Sequence, residues 1–368
     1  MPTLKLEFLP PDPGHSQGFS LGLAGELALD EGQFMAVQAG PPAAWQAGAE
    51  PLPTLLLLHG GPGGQTRPAS LTPWDGLPLR WIAADQRGCG RSRPPGERQG
   101  QTLDALVADL EALRRALDLS AWGLASGSWG CRLALAYAAR HPSRVSGLWL
   151  RSPFLGSLAE TQRYIAPWRR WLGEAGRAAL GPAAVDALEA LYAAPADPAL
   201  AAAAAAGELP ASLDEPRLAR VWQAFDEAQS AAGGLDARPE LRADPALWTD
   251  TPADAEAERA RMRSWAIHAL HGLQAWGGAC SGPQAGAGAW VEARALQVLA
   301  LGPRAIVGGR ADACCDPAVV DGLARLWPDA VVDRVEGAGH RMGDERLAPR
   351  LQASAQAWAR RWLATARP

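Results

Sequence analysis

Lysine is nearly missing from this chain. Lys5 stands alone among 35 basic residues, and arginine carries the rest of the positive charge. With the excess of alanine, glycine and proline, this reads as the imprint of a GC-rich genome rather than as a functional signal. Cysteine pairs at CxxC spacing are also lacking. The five cysteines, Cys89, Cys131, Cys280, Cys314 and Cys315, are odd in number and scattered, which argues against a zinc or redox motif. Unpaired thiols fit a cytoplasmic location. No run reaches the roughly 18 strongly apolar residues that a membrane span needs. The alanine tract Ala201 to Ala206 is too short and too weakly hydrophobic, and Met1 to Gly14 lacks the charged-then-apolar pattern of a signal peptide. A net charge of -4 offers no basic surface for nucleic acid or anionic lipid. A soluble, cytoplasmic protein with no nucleic-acid or membrane partner is expected; nothing here specifies its oligomeric state.

What is present is a 368-residue chain, 48% apolar, long enough for one core domain with a large insertion. Alternating stretches between Gly25 and Gln38 suit antiparallel edge strands. The apolar run Thr54 to His59 stops at a glycine-proline cluster and predicts a buried strand feeding a loop. Short strands follow at 80–84, 121–125 and 145–150. Between them lie a helix over 102–117, with Leu103, Leu106, Val107, Leu110, Leu113 and Leu117 on one face, and another from Cys131 to Arg140. This β-turn-α-β order predicts an α/β fold with a parallel, doubly wound sheet. Residues 156–295 change character: alanine-rich, helical in pattern, without strands, and holding Trp168, Trp171, Trp222, Trp248, Trp265, Trp276 and Trp290. They predict an inserted helical cap whose tryptophans are mostly core, with one or two at a pocket. The α/β pattern resumes with strands at 305–308 and 331–335 and a helix over 347–364. The predicted organisation is therefore a core of 1–155 and 296–368 around a cap of 156–295.

Ser126-Gly-Ser128-Trp-Gly130 joins a predicted strand to a predicted helix, and only small residues tolerate so sharp a turn. It matches the nucleophile-elbow pattern Gly-x-Ser-x-Gly with Ser126 in place of the first glycine. Asp312 ends a later strand and His340 follows another, giving the chain order Ser, Asp, His. A neutral hydroxyl is a poor nucleophile. A histidine that takes its proton, and a carboxylate that fixes the histidine's tautomer, would activate Ser128. His59-Gly-Gly-Pro-Gly-Gly64 follows the first buried strand. Its glycines would let backbone N–H groups approach a developing oxyanion, and the Trp129 N–H would be a second donor. The loop could instead cradle phosphate, but no Lys-Ser/Thr follows it. His59 is expected to shape the loop rather than act as a base. An aspartate at the elbow, as epoxide hydrolases and haloalkane dehalogenases use, is not found.

Taken together, these stretches resemble the proline iminopeptidase family, serine peptidases of the α/β-hydrolase fold. The resemblance rests on His59-Gly-Gly-Pro-Gly-Gly64, Asp85-Gln-Arg-Gly-Cys-Gly-Arg-Ser92, residues 106–114, Gly127-Ser-Trp-Gly130, residues 133–138, His141-Pro142, Gly309-Arg-Ala-Asp312 and Gly337-Ala-Gly-His340. It covers about 54–155 and 305–345. By position it implies a Ser128, Asp312, His340 triad, an oxyanion hole at Gly61 and Trp129, and no metal or organic cofactor. Cys89 and Cys315 match family cysteines that pack rather than react, and a Cys314-Cys315 disulfide is the rarer alternative.

The cap departs from the family. There, two glutamates bind the substrate's free amino terminus. At one of those positions this chain has Asp226, in Trp222-Gln-Ala-Phe-Asp226. At the other the best match places Arg263, with Glu227, Glu256 and Glu258 close by in sequence. An arginine there would oppose a cationic substrate. Asp226, Arg263 and Gly60 are therefore the candidate substrate-binding residues. The main expectation is a serine hydrolase that releases N-terminal proline, or a related small residue, from short peptides or amides. The alternative is a repurposed amidase, esterase or acyltransferase on another small molecule, with Arg263 pairing an acidic group. A binding protein on the same fold is a third reading. Arg151 is expected in a salt bridge, and Asp109, Glu111, Arg114 and Arg115 on a solvated helix face.

Overall fold

The computed structural model describes residues 4–8, 23–29, 32–49, 51–193, 197–248, 254–275, 290–297 and 302–365. Trp276 and Cys280 lie outside them. Nine described strands form one sheet: β1 (Lys5–Phe8), β2 (Leu23–Ala28), β3 (Phe34–Gly40), β4 (Thr54–Leu58), β5 (Arg80–Ala84), β6 (Trp122–Gly127), β7 (Val145–Arg151), β8 (Arg304–Gly309) and β9 (Val331–Val335). Their order is β1-β2-β3-β5-β4-β6-β7-β8-β9. The first three run antiparallel to their neighbours, and β5 through β9 pair in parallel. All five residues of β4 are buried, because helices cover both faces of a parallel sheet and leave no wet side to alternate toward. The strand order reverses around β4, which sits between β5 and β6. A crevice therefore opens beyond the carboxyl ends of β4 and β6, where ligands bind in open α/β sheets.

Helix α1 (Leu103–Ala116) starts at Thr102, whose hydroxyl accepts the Ala105 N–H. It buries Leu106, Val107, Leu110 and Leu113. The expected solvated face is only partly so: Asp109, Glu111 and Arg114 are buried, and of the four charged residues only Arg115 is well exposed. The reason is packing on a second side of the helix. Arg87 from the loop after β5 forms a two-pronged ion pair with Asp109 at 2.7 and 2.6 Å. Glu111 accepts from Arg114 at 2.9 and 2.7 Å and from the Tyr137 hydroxyl of α2 (Gly130–Arg140) at 3.0 Å. The Arg114 hydrogen bonds, then that of Tyr137, outweigh burial and hold the Glu111 carboxyl at about 2.

Between β7 and β8 the described residues contain helices and no strand: α3 (Leu158–Ile165), α4 (Trp168–Leu180), α5 (Pro182–Ala193), α6 (Pro198–Ala205), α7 (Pro216–Gln229), α8 (Pro239–Ala243), α9 (Ala255–Ala275) and α10 (Trp290–Ala295). The alanine tract runs along α6. Of the cap tryptophans, Trp168, Trp171 and Trp265 are buried, and Trp222, Trp248 and Trp290 are partly buried against the same cluster. That cluster is continuous with Leu110, Leu133 and Tyr137 of the core helices, so the cap and one side of the sheet share a hydrophobic interior, while Leu55, Ala83, Trp149 and Trp358 belong to a separate cluster. Helices α11 (Pro317–Leu326) and α12 (Leu347–Leu363) complete the core. No described helix is long and apolar enough to cross a membrane.

Candidate active site

Ser128 occupies the turn between β6 and α2 with φ of +56°, a backbone region that non-glycine residues enter only when their surroundings enforce it. Three hydrogen bonds enforce it here. The Ser128 N–H donates to the Arg151 carbonyl at 2.9 Å, and the Ser128 carbonyl accepts from Phe154 at 3.2 Å and Cys131 at 3.0 Å. Gly130 lets the helix start close to β4, since a Cβ there would lie 2.7 Å from the His59 carbonyl oxygen. Ser126, in place of the usual glycine, points into the core and donates to the Cys131 sulfur at 3.4 Å.

Asp312 and His340 arrive from the loops after β8 and β9. His340 Nδ1 and Asp312 Oδ2 are 2.8 Å apart. The other carboxylate oxygen accepts the Cys314 and Cys315 N–H groups at 2.9 and 2.8 Å. Burial alone would raise the Asp312 carboxyl; His340 beside it and these backbone donors hold it below its ordinary value. An ionised Asp312 makes His340 Nδ1 the protonated nitrogen and leaves Nε2 free to accept. No hydrogen bond joins Ser128 Oγ to His340 among the described residues, and such bonds often close only in the substrate complex. Ser128 Oγ instead lies 3.7 Å from Cys315 Sγ. Asp312, Cys315 and His340 also fall at metal-ligand spacing, but burial and the Asp312 charge push the Cys315 thiol well up. That disfavours the thiolate a metal would need.

Cys314 and Cys315 are buried free thiols, so no disulfide joins them. Cys89 is also buried, its thiol pushed up to about 12 chiefly by desolvation. His59 shapes its loop as expected. Its Nε2 accepts the Gln86 N–H at 3.0 Å, so Nδ1 donates to the Gly60 carbonyl at 2.9 Å. Burial lowers its pKa and keeps it neutral. Asp85 ties down the rest of the loop through the N–H groups of Thr66 and Arg91 and the Arg91 guanidinium. Gly60 and Gly61 line a cavity of about 220 Å³ together with Ser128 and His340. The Trp129 N–H, on the residue that precedes α2, takes no backbone acceptor among the described residues.

The cap closes this cavity with aromatic side chains: Tyr164 from α3, Tyr192 from α5, Trp222 from α7 and His268 from α9, facing Phe154 beside the elbow. Trp222 Nε1 donates to the Tyr192 oxygen at 3.1 Å, and the Tyr192 hydroxyl is bonded to His268 Nε2. Burial drives His268 down to about 3, so it is neutral. Asp226 is the one carboxylate in the lining among the described residues. It accepts the Tyr164 hydroxyl at 2.9 Å, and burial raises its pKa despite that bond.

Arg263 is a correction. It does not line the cavity; it pairs with Glu256 at 2.9 Å and packs its stem on Gly96. Side chains five positions apart on a helix diverge, so His268, not Arg263, is what α9 presents. Glu258 pairs with Arg220 and Arg261, and Glu227 with Arg341. Arg151 is a second correction. Its guanidinium donates to the His340 carbonyl at 2.8 Å rather than to a carboxylate, so it braces the histidine loop while its own carbonyl holds Ser128. Tyr164 and Tyr192 were not singled out in the sequence. The signal was their rarity: the chain has three tyrosines, and these two meet at the cavity.

A family model for the alpha/beta hydrolase fold matches residues 53–346. Proline iminopeptidase from Neisseria meningitidis serogroup A is 43% identical over 122 residues, 33% of this chain and 37% of that protein. The match thus spans little more than a third of the curated relative. Among solved structures, a proline iminopeptidase-related protein from Thermus thermophilus aligns with a TM-score of 0.53 at 21% identity, covering 94% of this chain and 98% of that one. A haloalkane dehalogenase from Bradyrhizobium elkani aligns with 0.54 at 18% identity, over 90% and 94%. Architecture is therefore shared across unlike chemistries. On the extent of the family match, the chain belongs to the alpha/beta hydrolase fold family.

Proposed function

We propose that the protein is a serine hydrolase that works through an acyl-enzyme and releases N-terminal proline, or a similarly compact amine-bearing residue, from peptides or amides. The observation that carries this reading is Asp226. Among the described residues it is the single carboxylate in a small aromatic cavity beside Ser128, and Arg263 is turned away. A cationic nitrogen about 4 Å from that carboxylate gains about 4 kcal/mol at an effective dielectric of 20. The flanking aromatic faces add cation–π attraction. An anionic acyl group would be repelled by that carboxylate, and the Arg151 guanidinium, which also lines the cavity, is engaged with the His340 carbonyl.

In the proposed cycle His340 Nε2 takes the Ser128 proton as Oγ attacks the carbonyl carbon. The N–H groups of Gly61 and Trp129 hold the oxyanion. Collapse breaks the C–N bond, His340 passes its proton to the departing amine, and water repeats the sequence to free the acid. Asp312 keeps Nδ1 protonated throughout, and Arg151 fixes the height of the imidazole. The alternative, a repurposed esterase or amidase, loses the support it drew from Arg263. A prolyl arylamide set against a neutral acetyl ester separates the two readings. Turnover of the arylamide that disappears in Ser128→Ala is expected; turnover of the ester alone would refute the proline reading.

A further inference from the structure

Beside the acyl cavity lies a second, larger one of about 640 Å³. The two share Gly60, Arg151, Asp226 and His340, but Ser128 and Gly61 line only the smaller. The larger cavity thus reaches His340 alongside Gly60, Ser126 and Gly127, next to the nucleophile but not lined by it, and is the neighbouring space open to the group that His340 protonates. Its volume falls within the range that holds a drug-sized ligand, far more than a released ammonia or a bare glycine needs. Its floor is apolar: Leu57, Trp74, Ala125, Trp149 and Met342. Four of these are buried from bulk solvent. The Trp149 indole N–H already donates to Ser354 Oγ at 3.1 Å, so the indole has no free donor to offer a ligand and acts as an apolar wall. Trp74 meets Trp149 edge to face, with centroids 5.2 Å apart, and together they form an aromatic corner. The rim is polar, with Gln65, Arg67, Gln223 and Arg341.

We infer that this cavity is a leaving-group subsite, and that it selects amines carrying a large apolar or aromatic side chain: peptides or amides whose second residue is bulky and hydrophobic. The inference rests on the acyl-transfer reading of Ser128 and deepens it. The polar rim suits the solvated continuation of such a substrate, and the floor takes its side chain, adding offset or edge contacts if that side chain is aromatic.

The test is a series of prolyl amides that differ only in the second residue, glycine, alanine, leucine and tryptophan, each with a C-terminal carboxamide. The kcat/KM for the tryptophan and leucine members is expected to exceed that for glycine by about tenfold or more, as burial of such side chains implies. Met342→Trp, which fills the floor, is expected to shrink the tryptophan-to-glycine ratio at least threefold. Free tryptophan amide and glycine amide are compared in parallel as protectors of Ser128 against a fluorophosphonate, a readout independent of the acyl group. Tryptophan amide is expected to protect at a concentration at least tenfold lower. A flat series with turnover intact, and equal protection by the two amines, would overturn the subsite and leave the proline reading standing. Protection by tryptophan amide without turnover of any prolyl amide would overturn the proline reading and keep the subsite. Neither turnover nor protection would overturn both.

Discussion

At the scale of single residues, Asp312 shows how much one carboxylate is asked to do. One oxygen takes two backbone N–H groups and the other faces His340 Nδ1. Asp312→Asn cannot accept at both ends, so it either turns its amide hydrogens on the backbone donors or inverts the histidine tautomer. A loss of about 10⁴ in kcat with little change in KM is expected; a loss under tenfold would remove Asp312 from the triad. Asp226 yields a pH dependence. Burial raises its pKa, so the carboxylate is charged above that raised value and neutral below it. KM for a prolyl arylamide should therefore rise as pH falls through a range above that of an ordinary carboxyl. Asp226→Asn should show a high KM without that dependence. The sign for stability is opposite: a carboxyl whose folded pKa is raised costs stability as pH rises above its unfolded value. The Asn variant should therefore melt no lower than the wild type at neutral pH, and a drop in melting temperature would contradict this account of the burial.

At the scale of elements, α9 is what joins cap to chemistry. Ser264 Oγ donates to the Gly63 carbonyl at 2.7 Å, His268 closes the cavity, and the His271 ring packs on Trp129 at 4.9 Å between centroids. Gly63, with φ of +83°, lies so close that a Cβ would sit 2.2 Å from the Ser264 carbonyl oxygen. The helix thus clamps the glycine loop that would hold the oxyanion. Ser264→Ala should lower kcat about threefold to tenfold while leaving KM unchanged, the worth of one hydrogen bond expressed in the transition state. Ser264→Thr should restore it; equal changes in kcat and KM for both variants would mean the serine only supports the fold. In the sequence, β4, β5, β9, α1 and α2 were legible almost to the residue because each has a simple period and a hard stop. Arg263 was misplaced because a helix face is set by what it packs against, and a local motif match carries no such information.

At the scale of the whole molecule, cap and core share a continuous apolar cluster running from Leu110 and Tyr137 to Trp168 and Phe225. The insertion therefore should not unfold by itself. Denaturant unfolding followed by far-UV circular dichroism and by tryptophan fluorescence should give coincident transitions; a separate early transition in fluorescence would show an independent cap. The shared interior also explains the buried charges on α1. Arg87 and Asp109 pair in a place that is solvent-facing on an isolated helix but lies under a loop in the assembled domain.

The linear chain by itself determined the strand-turn-helix at Ser128, the order Ser128, Asp312, His340 and the glycine loop, because backbone sterics and strand ends act over a few residues. Only the tertiary structure decided which cap side chains reach the serine. Asp226 faces in and Arg263 faces out because four separate helices fix the cavity wall, and their mutual rotation is a property of packing that no single helix encodes.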